Sequence, residues 1–224
     1  TFLLVLHSTE LPPIQAGQFV NVKVEDSPST FLRRPISIHD VDKANGLLYL
    51  LVKIAGSGTA KLSTLTPGNK LNIVLPLGNS FTQPVQGRCL LVGGGVGIAP
   101  LLHLSKELKK KKIEAVVLIG TRSKKDIVLE EEYQKYAPTY YTTEDGTYGE
   151  QGYPTQHSIL KEHFDHIFCC GPLPMMKAIA QHAYTHHIDC EVSLENMMAC
   201  GIGGHKCVCM DGPIFNINDL KWQI

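Results

Sequence analysis

The feature that most constrains the fold of this chain is a short segment in which an apolar run passes directly into glycines. It extends from Leu91 to Pro100 and reads LVGGGVGIAP. Glycines allow a backbone to approach a phosphate closely, and a helix that begins there presents unpaired N–H groups and a favourable dipole to an anion. The segment therefore predicts a nucleotide-binding turn between a buried strand and a helix. A tight strand-to-helix turn without a ligand is the alternative.

A second strand-to-helix junction lies further along the chain, where Phe168–Cys170 runs into Gly171 and Pro172. Ligands of open α/β sheets bind at the carboxyl ends of the strands. We therefore expect Cys170 to face the same crevice as Gly95. Core filling is the alternative for a single buried cysteine.

The periodicity changes near residue 87, which predicts two architectures in one chain. Up to about residue 85 the sequence has short β-rich runs separated by turn residues, as in a small barrel or sandwich. Beyond Arg88, apolar strands at Cys89–Val92, Glu114–Ile119 and His166–Cys170 alternate with helical patterns. This alternation predicts a parallel α/β domain. We predict domains at 1–86 and 87–192, and a small module at 193–224 that carries Cys200, Cys207 and Cys209.

Two segments of the first domain resemble anion sites. Arg33 and Arg34 precede a strand, and arginine suits planar recognition of phosphate or of an oxidised ring. The segment Gly56–Ser63 places two glycines before a hydroxyl residue and a helical stretch. A solvated basic edge and an ordinary helix N-cap are the respective alternatives.

The composition gives no indication of a nucleic-acid or membrane partner. The 224 residues include 43% hydrophobic and 19% charged residues, which is ordinary for a chain that forms a core. The 21 basic and 21 acidic residues balance, so electrostatics give no reason to expect a nucleic-acid or membrane partner. No apolar run approaches the roughly 20 residues of a transmembrane helix. We expect a cytoplasmic protein in which the seven cysteines are buried, catalytic or metal-bound.

Five motifs occur in the order found in the ferredoxin-reductase superfamily, which the chain resembles over nearly its whole length. They are Arg34-Pro35-Ile36-Ser37, Gly56-x-Gly58-Thr59, Pro76-Leu77-Gly78-Asn79-x-Phe81, the run Gly93–Pro100, and Cys170-Gly171-Pro172. The segments Ser193–Gly203 and Cys209–Phe215 are similar to the electron-transfer subunits of two-subunit, NAD-linked dihydroorotate dehydrogenases.

The resemblance implies a multi-domain α+β fold. An antiparallel six-stranded FAD-binding β-barrel comes first, then a parallel α/β nicotinamide-binding domain, then a small iron–sulfur module. It also implies the cofactor-binding residues. Those for FAD are Arg34, Pro35, Ile36, Ser37, Leu51, Val52, Lys53, Gly58 and Thr59, and those for the nicotinamide nucleotide and the ring pair are Gly95, Gly97, Pro100, Cys170, Gly171 and Pro172. No side chain is expected to be a general acid or base, because the cofactors supply the chemistry.

The resemblance further implies a [2Fe–2S] cluster on four cysteines, and here the sequence departs from the pattern. Cys200 matches the first ligand and Cys209 the fourth, but the second and third are absent. About a dozen residues are missing relative to the expected spacing. Two explanations remain open. In the first, the protein has a longer loop than this sequence shows, which the close match of the flanking segments to the family favours. In the second, the loop is truly deleted and the cluster is lost. His205 and Cys207 could substitute as ligands, although their closeness to Cys209 would strain a four-ligand cage. Free thiols are the alternative for all three cysteines.

The function implied is electron relay within an enzyme complex. A partner subunit, containing FMN, would oxidise dihydroorotate for pyrimidine biosynthesis, and the electrons would pass through the [2Fe–2S] cluster and FAD to NAD+. A heterotetramer is expected. Arg122, Lys124 and Lys125 leave NADP open on residues alone. Two other readings remain: the flavin subunit of an NADH-dependent ferredoxin:NADP oxidoreductase or sulfide dehydrogenase, and a non-catalytic adaptor that has lost its cluster.

Overall fold

Two β-sheets, packed through a shared apolar layer, make up the fold. The structure is a computed structural model that describes residues 1–25, 27, 30–194, 208, 211–220 and 222. No helix within these residues is long and apolar enough to cross a bilayer.

The first sheet is antiparallel. Its strands are β1 (Phe2–His7), β2 (Phe19–Val22), β3 (Arg34–Asp42), β4 (Leu47–Val52) and β5 (Ile73–Leu77), in the spatial order β1-β4-β3-β2-β5. Alternation explains β1, since Phe2, Leu4 and Leu6 turn towards the core while Leu3 and Val5 stay exposed. The described residues give this sheet five strands, whereas the resemblance implies a six-stranded barrel. Register shifts between Phe19 and Asn21 and between Ile38 and Asp40 interrupt the regular pairing.

The second sheet has seven strands. They are β6 (Arg88–Gly94), β7 (Glu114–Thr121), β8 (Thr139–Thr143), β9 (Glu150–Gln151), β10 (His166–Cys170), β11 (Asp189–Ser193) and β12 (Ile214–Asn216), in the order β12-β11-β10-β6-β7-β8-β9. All neighbours pair in parallel except β11 and β12. The parallel α/β architecture predicted from the sequence is therefore confirmed.

Four α-helices accompany the sheets in the described part of the chain: α1 (Ser57–Leu62), α2 (Ala99–Lys110), α3 (Glu130–Gln134) and α4 (Leu173–Thr185). In α2, leucines 101, 104 and 108 recur at helical spacing and are fully buried. Lys109 and Lys110 lie in its last turn, where positive charge complements the helix dipole. Helix α2 confirms the helical pattern that begins at Ala99.

An apolar layer joins the two sheets. Leu51 from β4 and Phe81 from the connecting segment belong to the same buried cluster as Ile98 and Phe168. The rings of Phe81 and Phe168 meet edge to face, with centroids 5.5 Å apart. This packing fixes the face of β3 and β4 against the strand-to-helix turns of the second sheet.

The described part of the tail belongs to the second sheet. Strand β12 pairs antiparallel with β11, with Ser193 opposite Ile214. The predicted module at 193–224 thus contributes a strand to the α/β sheet, and the three predicted domain boundaries remain predictions.

Candidate functional site

The two strand-to-helix junctions predicted from the sequence meet in space. Strands β6 and β10 are parallel neighbours, with Cys170 opposite Gly93. The chain turns in opposite directions after them, since β7 lies beside β6 on one side of this pair and β11 lies beside β10 on the other. Ligands of open α/β sheets bind in the crevice at such a switch point. The structure therefore brings Cys170 to the glycine turn, as the sequence predicts.

Contact between these junctions is very close at Gly97. A Cβ atom on Gly97 would lie 2.5 Å from the carbonyl oxygen of Cys170 and 2.6 Å from Cα of Gly171. Both neighbours are backbone atoms, which cannot rotate away. Only glycine permits this approach, and the two turns consequently form one surface.

The remaining residues of this crevice differ in exposure. Gly95 is exposed with φ of +56°, and a Cβ there would meet nothing within 4 Å. Pro100 is buried in the first turn of α2, where its missing N–H costs no hydrogen bond. Pro172 is exposed, and Cys170 is only 1% exposed. The accessible edge of the crevice is thus formed by Gly95 and Pro172.

The predicted flavin residues are also brought together, around Gly58. A Cβ on Gly58 would lie 2.9 Å from Cγ2 of Thr30 and 3.2 Å from Cδ of Arg34. The hydroxyls of Thr30 and Ser57 are 3.4 Å apart. The start of α1 therefore lies directly against the segment that leads into β3.

The two adjacent arginines have different environments. Arg33 donates to the carbonyl of Asn72 at 3.0 Å and to its side-chain oxygen at 2.7 Å, so it ties β3 to the chain before β5. Arg34 donates to the carbonyl of Leu32 from Nε at 3.1 Å and from a terminal nitrogen at 2.8 Å. Arg33 is thus a structural residue, while Arg34 adjoins Gly58.

Several predicted site residues have side chains that are already engaged within the protein, so only their backbone groups are available to a ligand. Ile36, Leu51 and Val52 are buried in apolar clusters. The hydroxyl of Thr59 accepts from the N–H of Ala55 at 2.9 Å and donates to the carbonyl of Gly56 at 3.1 Å. Thr59 therefore shapes the turn with its own side chain.

Apolar side chains lie exposed beside this group. Phe31 is 96% exposed, Leu32 is 59% exposed and Ile54 is 50% exposed, and they flank Arg34 and α1 in the sequence. Pro35 and Lys53 are also exposed, and Ser37 is half-buried. A ligand that combines a flat ring system with phosphates would cover such apolar surface and leave charge at Arg34. The residues present therefore fit a flavin nucleotide.

A polar cluster that the sequence reasoning missed joins β3 to α2. His39 Nδ1 donates to the carbonyl of Ala99 at 2.7 Å, and burial lowers the pKa of His39 despite this bond. Tyr133 donates to the carbonyl of the adjacent Ile98 at 2.6 Å. These bonds fix the start of α2, next to the glycine turn. Since both acceptors are backbone groups, no sequence motif indicated them.

Asp40 is the charged centre of this cluster. It contacts Lys106 Nζ, and its Oδ1 lies 3.5 Å from His103 Nδ1. Burial raises the pKa of Asp40, but hydrogen bonds from His103 and Lys106 outweigh it and hold the pKa below its ordinary value. Asp40 is therefore a charged link between the sheets.

Glu191 forms a second link, on β11. The backbone N–H of Thr82 donates to its carboxylate at 2.9 Å, and the residue is 6% exposed. Burial raises the pKa of Glu191, and the bond from Thr82 opposes that rise without cancelling it. Nothing in the local sequence distinguishes this glutamate from a surface residue.

The predicted metal ligands Cys200 and Cys209 lie outside the described residues, as do His205 and Cys207. Among the residues that are described, no group of three potential ligands could hold a metal ion. The basic residues considered for a 2′-phosphate follow β7 and are exposed: Arg122, Lys124 and Lys125. The Nζ of Lys124 lies 4.9 Å from the ring centroid of Tyr148.

Comparison with known families places the glycine crevice in a recognised domain. A sequence model described as an oxidoreductase NAD-binding domain matches residues 91–181. This range includes both the glycine turn and the Cys170–Pro172 turn.

Curated relatives match almost the whole chain. A protein of Fusobacterium nucleatum named "Dihydroorotate dehydrogenase B (NAD(+)), electron transfer subunit" is 35% identical over 92% of this chain and 86% of its own length. The protein of the same name from Bacillus velezensis is 38% identical over 97% of this chain and 89% of its own length.

A solved structure supports the fold. It is described as an NADH-dependent reduced ferredoxin-NADP oxidoreductase with flavin-based electron bifurcation. The matching chain superposes with a TM-score of 0.85 at 29% identity, covering 98% of this chain and 84% of its own. The arrangement of the two sheets is therefore ferredoxin-reductase-like.

Proposed function

The chain belongs to the family of dihydroorotate dehydrogenase B (NAD(+)) electron transfer subunits, and on that premise we propose that it relays electrons from a dihydroorotate-oxidising partner subunit to NAD+. Dihydroorotate would become orotate on the partner by losing two electrons and two protons. NAD+ would take up both electrons and one proton as a hydride, and the second proton would pass to solvent.

One observation carries the proposal: the contact of Gly97 with Cys170 and Gly171 at the switch point of the second sheet. It supports a nicotinamide nucleotide with its phosphates at the Gly95–Gly97 turn and its ring beside Cys170–Pro172. The helix dipole and the backbone N–H groups at the start of α2 would attract the phosphates. The hydrogen bonds of Ala99 and Ile98 to His39 and Tyr133 would hold that helix start in place.

We propose that FAD binds beside this crevice, against β3, β4 and α1. Bound FAD would supply the conversion between single-electron and hydride transfer. Arg34 and Gly58 would contact its phosphates, and Pro35, Ser37 and Lys53 would border it with their exposed or half-buried side chains. Ile36, Leu51, Val52 and Thr59 would contribute through the backbone, because their side chains are engaged elsewhere. The exposed Phe31, Leu32 and Ile54 support this placement.

The finer parts of the proposal concern the cluster and the assembly. Cys200 and Cys209 would supply two ligands of a [2Fe–2S] cluster, and the sequence signature around them supports this role. We also propose an FMN-containing catalytic partner, a heterotetramer and a cytoplasmic location. The domain division 1–86, 87–192 and 193–224 belongs to the same proposal.

The test is an anaerobic reconstitution of the full-length chain with its partner subunit. We expect the complex to form NADH from dihydroorotate and NAD+, and the isolated chain to bleach its flavin absorbance with NADH but to ignore dihydroorotate. Dihydroorotate-dependent NADH formation by the isolated chain would refute the division of labour. Preference for NADP+ over NAD+ would assign Arg122, Lys124 and Lys125 to a 2′-phosphate instead.

The two rival functions predict other outcomes. A ferredoxin:NADP oxidoreductase or sulfide dehydrogenase subunit would co-purify with a different partner. This function is less favoured, because the solved relative is 29% identical whereas the dihydroorotate dehydrogenase relatives reach 38%. An adaptor without a cluster would contain no iron and would leave NADH unoxidised even after FAD is added.

A further inference from the structure

Asn79 joins the first sheet to the tail by an unusual set of hydrogen bonds. Its backbone N–H donates to the carbonyl of Gly212 at 2.8 Å. Its Nδ2 donates to the carbonyls of Asp211 at 3.0 Å and Ile214 at 2.8 Å. Its Oδ1 accepts from the N–H of Ile214 at 2.9 Å. An exposed residue thus commits both ends of its amide to the backbone of a segment 135 positions away.

The neighbouring glycines show how closely the two segments approach. Gly78 has φ of +76°, and a Cβ there would lie 2.5 Å from Cδ of Pro213 and 2.7 Å from the carbonyl oxygen of Gly212. A Cβ on Gly17 would lie 3.0 Å from Cγ1 of Ile214. Two glycines at the edge of the first sheet therefore leave the space in which residues 212–214 lie.

This close approach fixes the end of one particular segment. The N–H of Leu194 donates to the carbonyl of Pro213 at 2.8 Å, and Ser193 pairs with Ile214. Leu194 and Asp211 therefore begin and end a stretch of sequence whose two flanks are bonded to each other. That stretch carries Cys200, Cys207 and Cys209. We call the hydrogen-bonded flanks of this stretch, Leu194 and Pro213, the stem.

The stem also lies beside the crevice. Ser193, at the end of β11, is the parallel neighbour of Cys170 at the end of β10. The stem thus lies next to Cys170, and Asn79 sets where residues 211–214 lie relative to the first sheet. Asn79 is bonded to neither the glycine turn nor Arg34 in the described contacts.

We propose that Asn79 is a positioning residue for electron entry: its hydrogen bonds to residues 211–214 hold the stem against the first sheet, next to Cys170. The inference rests on the proposed function. Electron transfer slows as the distance between the donor and acceptor groups grows. Loosening the stem should therefore slow electron entry while leaving NADH chemistry at the glycine crevice intact.

The experiment compares two reactions in the reconstituted complex. For Asn79→Ala we expect the rate of dihydroorotate-driven NAD+ reduction to fall severalfold. NADH oxidation with an artificial acceptor, measured in the same preparation, should stay at the wild-type rate. Amide hydrogen exchange at Leu194 and Ile214 should accelerate, which reports the stem directly and needs no turnover. FAD and iron content should match wild type.

Two further variants keep the result decisive. Asn69→Ala is the matched control. Among the described residues the Asn69 side chain accepts only from Thr66, in a local turn, so the variant should change neither reaction nor the exchange at the stem. Asn79→Asp keeps the acceptor for Ile214 but replaces both side-chain donors with an oxygen that repels the two carbonyls, so it should slow the dihydroorotate-driven reaction and leave NADH oxidation unchanged. It gives a second, independent test beside Asn79→Ala. The inference would be overturned if the Asn79 variants lost NADH oxidation as strongly as dihydroorotate-driven NAD+ reduction. It would also be overturned if both rates and the amide hydrogen exchange at Leu194 and Ile214 stayed at wild-type values. Failure of the wild-type complex to couple dihydroorotate to NAD+ would instead overturn the proposed function.

Discussion

Gly97 and Cys170 lie in backbone contact across the switch point, so close that a Cβ on Gly97 would come within 2.5 Å of the Cys170 carbonyl oxygen. The residues belong to different strand-to-helix junctions, one after β6 and one after β10. Their contact makes a continuous wall of backbone from two separate turns. It also makes the crevice sensitive to a single methyl group.

Gly97→Ala should separate the two turns. Since the clash is with backbone atoms, we expect a loss of about 2 kcal/mol or more in the free energy of unfolding, and weakened NADH binding. Gly95→Ala is the comparison, because it has space for a Cβ and should lose only about 1 to 2 kcal/mol from its positive φ. Denaturant unfolding and NADH titration check both variants. Equal losses in the free energy of unfolding for the two variants would contradict the close-contact interpretation.

Asp40→Asn should lower the free energy of unfolding by an amount that depends on pH in a defined direction. The pKa of Asp40 is lowered in the folded protein, so the charged carboxylate stabilises the fold above its ordinary pKa, and this contribution is lost as pH falls through the lowered value. We expect the variant to lose about 1 to 3 kcal/mol at neutral pH. The difference from wild type should shrink below about pH 4, near the ordinary carboxyl pKa. Unfolding measured across this range tests it, and a difference independent of pH would be inconsistent with a charged link.

Glu191→Gln should show the opposite trend. The pKa of Glu191 is raised by burial, so its contribution to stability is complete below the ordinary carboxyl pKa and is lost as pH rises through the raised value. Glutamine keeps an acceptor for the N–H of Thr82 and carries no charge. The variant should therefore gain in stability relative to wild type as pH rises from about 4 to neutral. The same unfolding series measures this, and a relative loss with rising pH would show that the Glu191 carboxylate is favoured by its surroundings.

Substitution of Arg34 should mainly weaken FAD binding, whereas substitution of Arg33 should mainly lower stability. Arg34→Ala should weaken FAD binding about 10- to 100-fold, the value of one charge-assisted contact of about 1.5 to 3 kcal/mol, with little change in unfolding of the apoprotein. Arg33→Ala should destabilise the first sheet, because its guanidinium bonds to Asn72, and should affect FAD less. Flavin fluorescence titration and thermal unfolding distinguish the two. Reversed phenotypes would assign the cofactor contact to Arg33.

The sequence by itself determined the local elements of the second sheet. Helix α2 begins at Ala99 and β10 covers His166–Cys170, as their apolar patterns predict, because periodicity and turn residues act over only a few positions. The motifs also indicated which turns we propose as nucleotide sites, since close backbone approach demands glycine whatever the rest of the chain does.

Only the tertiary structure decided how distant segments meet. Asp40 and Lys106 are 66 positions apart, Thr82 and Glu191 are 109 apart, and Asn79 and Ile214 are 135 apart. Most of these contacts join a polar side chain to a backbone group, and every residue has the same N–H and C=O groups to offer, so no residue pattern reveals the partner. The five strands described for the first sheet, where the resemblance implies six, depend in the same way on pairing between distant segments. Local preferences therefore fixed the elements and their turns, while packing of the two sheets fixed the polar links and the position of the tail.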